Sequence, residues 1–242
     1  MNDAFLLKKI FKKLYQKINH YKKRNYLGQN NIDYELKRYL DFKNGFFIEI
    51  GAYDGITYSN TYNLEKNKKW TGLLVEPTKE NFELCKANRP NSKVFNYVCV
   101  PFGFNLKEVD FTDLGLMSYS EYISNDLDTR QHRLDAIKHI ESIGKKEKIY
   151  KVKTVNLDSL LNKINAPKII NFFSLDVEGS EMAVLDGFNF DEYIIEYLFV
   201  ESRDIDKIAE YLQDKDYILI KEFHEFESTQ QLNLLFKHSS VN

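Results

Sequence analysis

The chain has 242 residues, 43% hydrophobic and 29% charged, with a formal net charge of -2 and a pI near 6.2. That length suits one α/β domain with additions; the composition excludes a disordered or collagen-like chain, and the balanced charge gives no reason to expect nucleic acid as a partner. Cys85 and Cys99 form no CxxC pair, so neither a thiolate metal site nor a disulfide framework is argued, and no apolar run approaches the roughly 18 to 20 residues that span a bilayer. A cytoplasmic protein is expected.

At the start of the chain, Leu7, Ile10, Leu14, Ile18 and Tyr21 fall on one helical stripe, with Lys8, Lys9, Lys12, Lys13 and Lys17 opposite. This predicts a basic amphipathic helix, set off with its linker as residues 1–30. Two placements stay open: packing on its own domain or on a second subunit of a homodimer, or peripheral contact with an anionic membrane at its inner face. The Leu27 to Asn31 stretch reads as a linker, and Ile32 to Phe42 as a second helix.

From Gly45 onward, short apolar runs alternate with amphipathic segments, the pattern of βα units around a mostly parallel sheet. Strands are expected at Phe46 to Ile50, Thr71 to Val75, Val94 to Val100, Lys168 to Leu175 and Ile194 to Val200. Tyr217 to Phe223 and Leu232 to Phe236 form a closing antiparallel pair. Helices fit Ser59 to Lys66, Lys79 to Asn88, Ser180 to Leu185 and Ile205 to Gln213. The alternation breaks between about 112 and 150, where a helix from Asp126 to Ile143 ends at Gly144; this reads as an insertion over the ligand face, within a main domain of residues 31–242.

Open α/β sheets bind ligands beyond the carboxyl ends of their strands, where strand order reverses. The first strand runs into Glu49-Ile50-Gly51-Ala52-Tyr53-Asp54-Gly55, whose glycines permit a tight turn and close approach of backbone to a nucleotide. Tyr53 occupies the middle glycine's place, so this is not the dinucleotide GxGxxG and argues against a nicotinamide-dependent oxidoreductase. The second strand ends in Val75-Glu76-Pro77, 25 positions after Gly51, near the roughly 20 expected between a glycine loop and a ribose-binding acid. Glu76 either accepts ribose hydroxyls or caps the helix that follows.

Asp54-Gly55-Ile56-Thr57-Tyr58-Ser59-Asn60-Thr61 and Trp70-Thr71-Gly72-Leu73-Leu74-Val75-Glu76-Pro77 closely resemble the FkbM-type methyltransferases. Val155-Asn156-Leu157-Asp158-Ser159-Leu160-Leu161, then Phe173-Ser174-Leu175-Asp176-Val177-Glu178-Gly179-Ser180-Glu181, is similar to that family's second signature. The resemblance runs from about Gly45 to Phe236 and implies a class I fold, doubly wound with strand order 3-2-1-4-5-7-6, with S-adenosylmethionine as methyl donor. By it, Glu49, Gly51 and Gly55 border the methionine part of the cofactor, with Asp54, Ser59 and Asn60 completing the loop. Glu76, followed by Pro77, holds the ribose, and adenine lies near Val100 to Phe102 and Ser118. Tyr53, Tyr58 and Tyr62 are placed to offer a ring face to the sulfonium.

The family usually methylates oxygen, and an alcohol needs a general base or a cation at the developing alkoxide. Asp176 and Glu178 at the end of the fourth strand and Glu201 at the end of the fifth converge there. Either Asp176 is the base, itself beside the cofactor, with Glu178 and Glu201 orienting the acceptor, or the carboxylates hold Mg²⁺ or Mn²⁺. Glu178 and Glu181 also suit the N-terminus of the helix near Ser180 through its dipole. His224 is a further candidate base, and Arg130, His132 and Arg133 are candidate grips for a phosphate or sugar acid. The expected acceptor is a sugar, nucleotide-sugar or glycan hydroxyl in bacterial surface polysaccharide synthesis; a non-sugar metabolite and a cofactor-free interaction domain are the alternatives.

Overall fold

The computed structural model describes residues 26–123, 129–223 and 232–241; the basic stripe before residue 26, and His224, lie outside them. In chain order the elements are α1 (Ile32–Leu40), β1 (Phe46–Ile50), α2 (Tyr62–Lys68), β2 (Thr71–Val75), α3 (Lys79–Asn88), β3 (Lys93–Phe95), β4 (Val98–Cys99), β5 (Glu108–Asp113), α4 (Thr129–Ser142), β6 (Lys148–Val155), α5 (Leu157–Ile164), β7 (Ile169–Leu175), α6 (Glu181–Leu185), β8 (Ile194–Ser202), α7 (Ile205–Gln213), β9 (Tyr217–Phe223) and β10 (Leu232–His238).

The main sheet runs β3-β2-β1-β7-β8-β10-β9, which, counting only its own strands, is 3-2-1-4-5-7-6, the class I methyltransferase order that the resemblance implies. β1, β2, β3, β7 and β8 are parallel, and β10 is antiparallel to both neighbours. Side chains alternate across a strand, so β1 sends Ile48 and Ile50 to one face and Phe47 to the other. The first face packs on Leu157, Leu160 and Leu161 of α5 and Ile208 and Leu212 of α7. The second packs on Ile32, Leu36 and Leu40 of α1, Leu64 of α2 and Cys85 of α3. Buried Trp70 closes this second core, its ring nitrogen donating to the Phe42 carbonyl at 2.9 Å.

The chain departs from expectation at the third strand. Only Lys93–Phe95 pairs with β2; Asn96 then donates through Nδ2 to the carbonyls of Glu76 (2.8 Å) and Pro77 (2.7 Å), turning the chain away, and Val98–Cys99 joins a second sheet, β4-β6-β5. The expected insertion is thus flanked by two unanticipated strands, β5 and β6, which pair antiparallel, and its helix α4 packs Ala136 and Ile140 against Leu114 and Tyr119. α5, not separately expected, is capped by Asn156, whose side chain accepts from Ser159 N at 2.9 Å. No helix among the described residues is long and apolar enough to cross a membrane.

Candidate functional site

Strand order reverses between β1 and β7, and a cavity of about 410 Å³ lies beyond the carboxyl ends of the strands there, within the size range of small-molecule sites. On its floor the Gly51 loop presses against the turn after β7. A Cβ on Gly51 (φ 86°) would lie 1.9 Å from the Asp176 carbonyl oxygen, so only glycine closes this junction. Gly55 (φ 78°) is a different case: its Cβ would meet Arg89 Cγ at 2.8 Å and Cys85 Sγ at 2.9 Å, which makes it a packing glycine against α3, away from the cavity.

The loop after β1 is fastened from below. Glu49 lines the cavity, but its carboxylate accepts from Ser59 Oγ (2.9 and 3.0 Å), Asn60 N (3.1 Å), Thr61 Oγ1 (2.6 Å) and Arg89 Nη1 (3.2 Å). Ser59 Oγ in turn accepts from Tyr62 N at 3.0 Å and so starts α2. Arg89, unflagged by sequence reasoning and 1% exposed, also donates to Glu65 Oε2 (2.8 Å), the Gly55 carbonyl (3.1 Å) and Thr61 Oγ1 (2.7 Å). Its guanidinium lies over the rings of Phe47 and Tyr62, so Tyr62 packs there while Tyr53 and Tyr58 line the cavity. Asp54 does not reach the cavity either. It folds the loop on itself, Oδ1 accepting from Ile56 N (2.8 Å) and Thr57 N (2.7 Å).

At the end of β2, Glu76 is buried and lines the cavity beside Pro77. Oε2 accepts from Tyr53 N at 2.8 Å, and Oε1 from Thr78 N at 2.8 Å and from the Thr78 hydroxyl. The carboxylate stands on the cavity wall and also ties down the start of α3, the second of the two roles expected for it. Burial pushes its pKa up to about 7. Ser118 lines the cavity, its hydroxyl donating to the Gly115 carbonyl at 2.6 Å. Val100 does not: the diversion after Asn96 buries it among Val98, Val109 and Val152, and Tyr97, Val98 and Cys99 line the wall in its place.

Asp176, Glu178 and Glu201 all face the cavity. Asp176 is surrounded by protein on most sides yet open to the cavity; burial, then Glu178 and Glu181, push its carboxyl well above the usual range, while a hydrogen bond with Glu201 pulls the other way. Glu178 (φ 52°) accepts from Arg203 Nη2 at 2.8 Å. Among the described residues, no three His, Cys, Asp or Glu side chains are grouped to hold a metal ion, so this arrangement does not support the divalent-cation role expected of the three carboxylates. Glu181 takes the structural role anticipated for it, with Oε1 accepting from Val177 N (3.3 Å) and Gly179 N (3.0 Å).

The insertion roofs the cavity with Phe111, Leu116, Met117, Tyr119, Ile123 and His139. Of the three basic residues expected to grip an anion, none lines it. Arg133 is clamped to Glu147 (2.6 and 2.7 Å), Arg130 is exposed, and buried His132 turns inward, Nε2 lying 2.8 Å from the Met117 carbonyl and Nδ1 4.0 Å from Glu178. Since a carbonyl only accepts, the Nε2 proton is assigned to that bond. Sequence reasoning also missed Gln29, which reaches the cavity from the segment before α1. That segment is held by Asp33 Oδ2, which accepts from Leu27 N at 2.8 Å, and by a bridge between Gly28 and Tyr58.

A model of the methyltransferase FkbM domain matches residues 49–219. No curated protein matches the chain with significance. Solved structures similar to it include TrmK of M. capricolum in complex with S-adenosyl-homocysteine (10% identity, 85% of this chain and 68% of that one, TM-score 0.43). Two others are the N-terminal domain of human METTL16 in complex with SAH (12%, 87% and 70%, 0.45) and a precorrin-6y C5,15-methyltransferase from Geobacter metallireducens GS-15 (10%, 86% and 87%, 0.44).

Proposed function

Because the chain belongs to the FkbM methyltransferase family, and so to the S-adenosylmethionine-dependent methyltransferases, we propose that it methylates a hydroxyl oxygen of a sugar, in a bacterial surface glycan or its precursor. The observation that carries the oxygen chemistry is the gathering of Asp176, Glu178 and Glu201 on the wall of a cavity that also holds Glu76. The sugar itself rests on the family.

The residues present fit the cofactor. The Gly51 turn leaves a bare backbone ledge that a Cβ would fill, Glu76 offers a fixed carboxylate to ribose hydroxyls, and Tyr97, Val98 and Cys99 give a largely apolar wall for adenine. When bound, S-adenosylmethionine supplies an electrophilic methyl carbon whose bond to sulfur breaks as the acceptor oxygen bonds to it. Asp176 takes the hydroxyl proton in its ionised form, and the upward shift makes that form a stronger base than an ordinary aspartate. Glu201 fixes the Asp176 carboxyl, and Glu178, held by Arg203, faces the acceptor side. The lysine-rich first segment supports work in the cytoplasm at or near the inner membrane face.

Calorimetry and turnover test this. Wild type should bind S-adenosylhomocysteine, and Glu76→Ala should lose that binding. Asp176→Asn should keep it within a few-fold while kcat on an accepted sugar falls by roughly 10² to 10⁴. Full turnover by Asp176→Asn removes it as base, and acceptance of only non-sugar alcohols would replace the sugar.

A further inference from the structure

We infer that the acceptor sugar enters this cavity as an uncharged glycoside and not as a nucleoside-diphosphate sugar. This rests on the sugar reading above and narrows it, and it comes from where the cavity's charges and N–H donors are already engaged.

Phosphate is recognised by guanidinium forks, by ammonium groups and by clusters of backbone N–H at turns and helix starts. Five N–H groups around this cavity are occupied by the protein's own carboxylates. Tyr53 N and Thr78 N donate to Glu76, Asn60 N donates to Glu49, and Val177 N and Gly179 N donate to Glu181. The guanidinium groups nearby are likewise committed: Arg89 to Glu49 and Glu65, Arg203 to Glu178, and Arg133 to Glu147 through two bonds.

Among the described lining residues are five carboxylates, Glu49, Glu76, Asp176, Glu178 and Glu201, against one basic side chain, His139. Of the segments outside the described residues, 124–128 and 224–231 contain neither Lys nor Arg, whereas 1–25 contains eight. A cationic cofactor suits such a cavity. A diphosphate drawn in among these carboxylates would find those donors taken and would be repelled by whichever of the five is ionised. An uncharged ring suits the roof better, since Leu116, Met117, Tyr119 and Ile123 offer apolar surface to its C–H face.

The test uses the full chain with S-adenosylmethionine and matched acceptor pairs, each hexose supplied as its methyl glycoside and as its uridine-diphosphate conjugate, with S-adenosylhomocysteine release measured. The neutral member is expected to have kcat/KM higher by about tenfold or more, with the gap narrowing as salt is raised. Leu116→Lys, which adds an ammonium to the lining, should narrow it further. A diphosphate-linked sugar used as well as or better than its glycoside overturns the inference. If neither member of any pair reacts, the sugar reading is what has failed. Calorimetry then decides the charge question separately: uridine diphosphate and inorganic pyrophosphate should give no binding to the S-adenosylhomocysteine complex at millimolar concentration, and binding by either overturns it.

Discussion

Arg89 shows how a residue remote from the chemistry sets the shape of the site. Its guanidinium is enclosed and bonded to two carboxylates, two hydroxyls and a carbonyl, so the loop after β1, the start of α2 and the end of α3 share one anchor. Removing one partner of a buried pair strands the others without compensation, which typically costs about 3 to 5 kcal/mol. Arg89→Ala is therefore expected to lower the urea midpoint by that order and to weaken S-adenosylhomocysteine binding, because Glu49 no longer holds Ser59 and Asn60 in place. Arg89→Lys should recover only part of either, since one ammonium cannot reproduce the planar fork. An unchanged midpoint in Arg89→Ala would show that water or rearranged neighbours satisfy the carboxylates.

At the scale of elements, α4 reaches the cavity through His139, and His132 is its tether. The bond to the Met117 carbonyl, with Glu178 4.0 Å from the other ring nitrogen, links the inserted helix both to the roof turn and to the carboxylate cluster. His132→Ala is expected to raise KM for the acceptor several-fold while the dissociation constant of S-adenosylhomocysteine stays within twofold, because the wall proposed for the cofactor comes from the ends of β1 and β2 and the β3–β4 turn. Equal loss of both affinities would mean that the roof supports the whole cavity. Element identity was largely legible beforehand. The apolar runs of β1, β2, β7 and β8 lie on their expected positions because a strand covered on both faces needs a nearly continuous hydrophobic stretch. α5 was not anticipated, although Leu157, Leu160, Leu161 and Ile164 stand at helical spacing behind an Asn cap. β6 left a weaker trace, Lys151 and Lys153 alternating with Tyr150 and Val152.

For the whole molecule, three buried carboxyls make folding stability depend on pH. Burial raises Asp33 to about 6 and both Glu76 and Glu181 to about 7. The folded state thus holds protons that the unfolded chain has released, so their contribution is fully present below about pH 4 and is lost as pH rises through 6 and 7. The ligand-free protein is expected to be more stable at pH 5 than at pH 8 by on the order of a few kcal/mol, read from urea midpoints. Glu181→Gln should flatten part of that slope, since both backbone bonds go to a single oxygen that the amide retains. A midpoint that rises between pH 5 and 8 would contradict the assignment. Asp41, Asp135 and Glu147, which are held low by partners, act below this window.

By itself the sequence determined the strands of the main sheet, most of the helices around them and the strand ends where Glu76, Asp176, Glu178 and Glu201 stand, because hydrophobic period and glycine position are local properties of the chain. The tertiary structure alone decided which of the flagged residues meet. Asp54 and Gly55 proved to shape the loop, and Val100 went to a second core once Asn96 had bonded the carbonyls at the exit of β2. It also decided which polar groups are already used: Arg89 is 40 residues from Glu49 and 24 from Glu65, and no spacing rule connects them. Long-range pairing is set by packing, and the charge that a ligand meets is what remains after that pairing is complete.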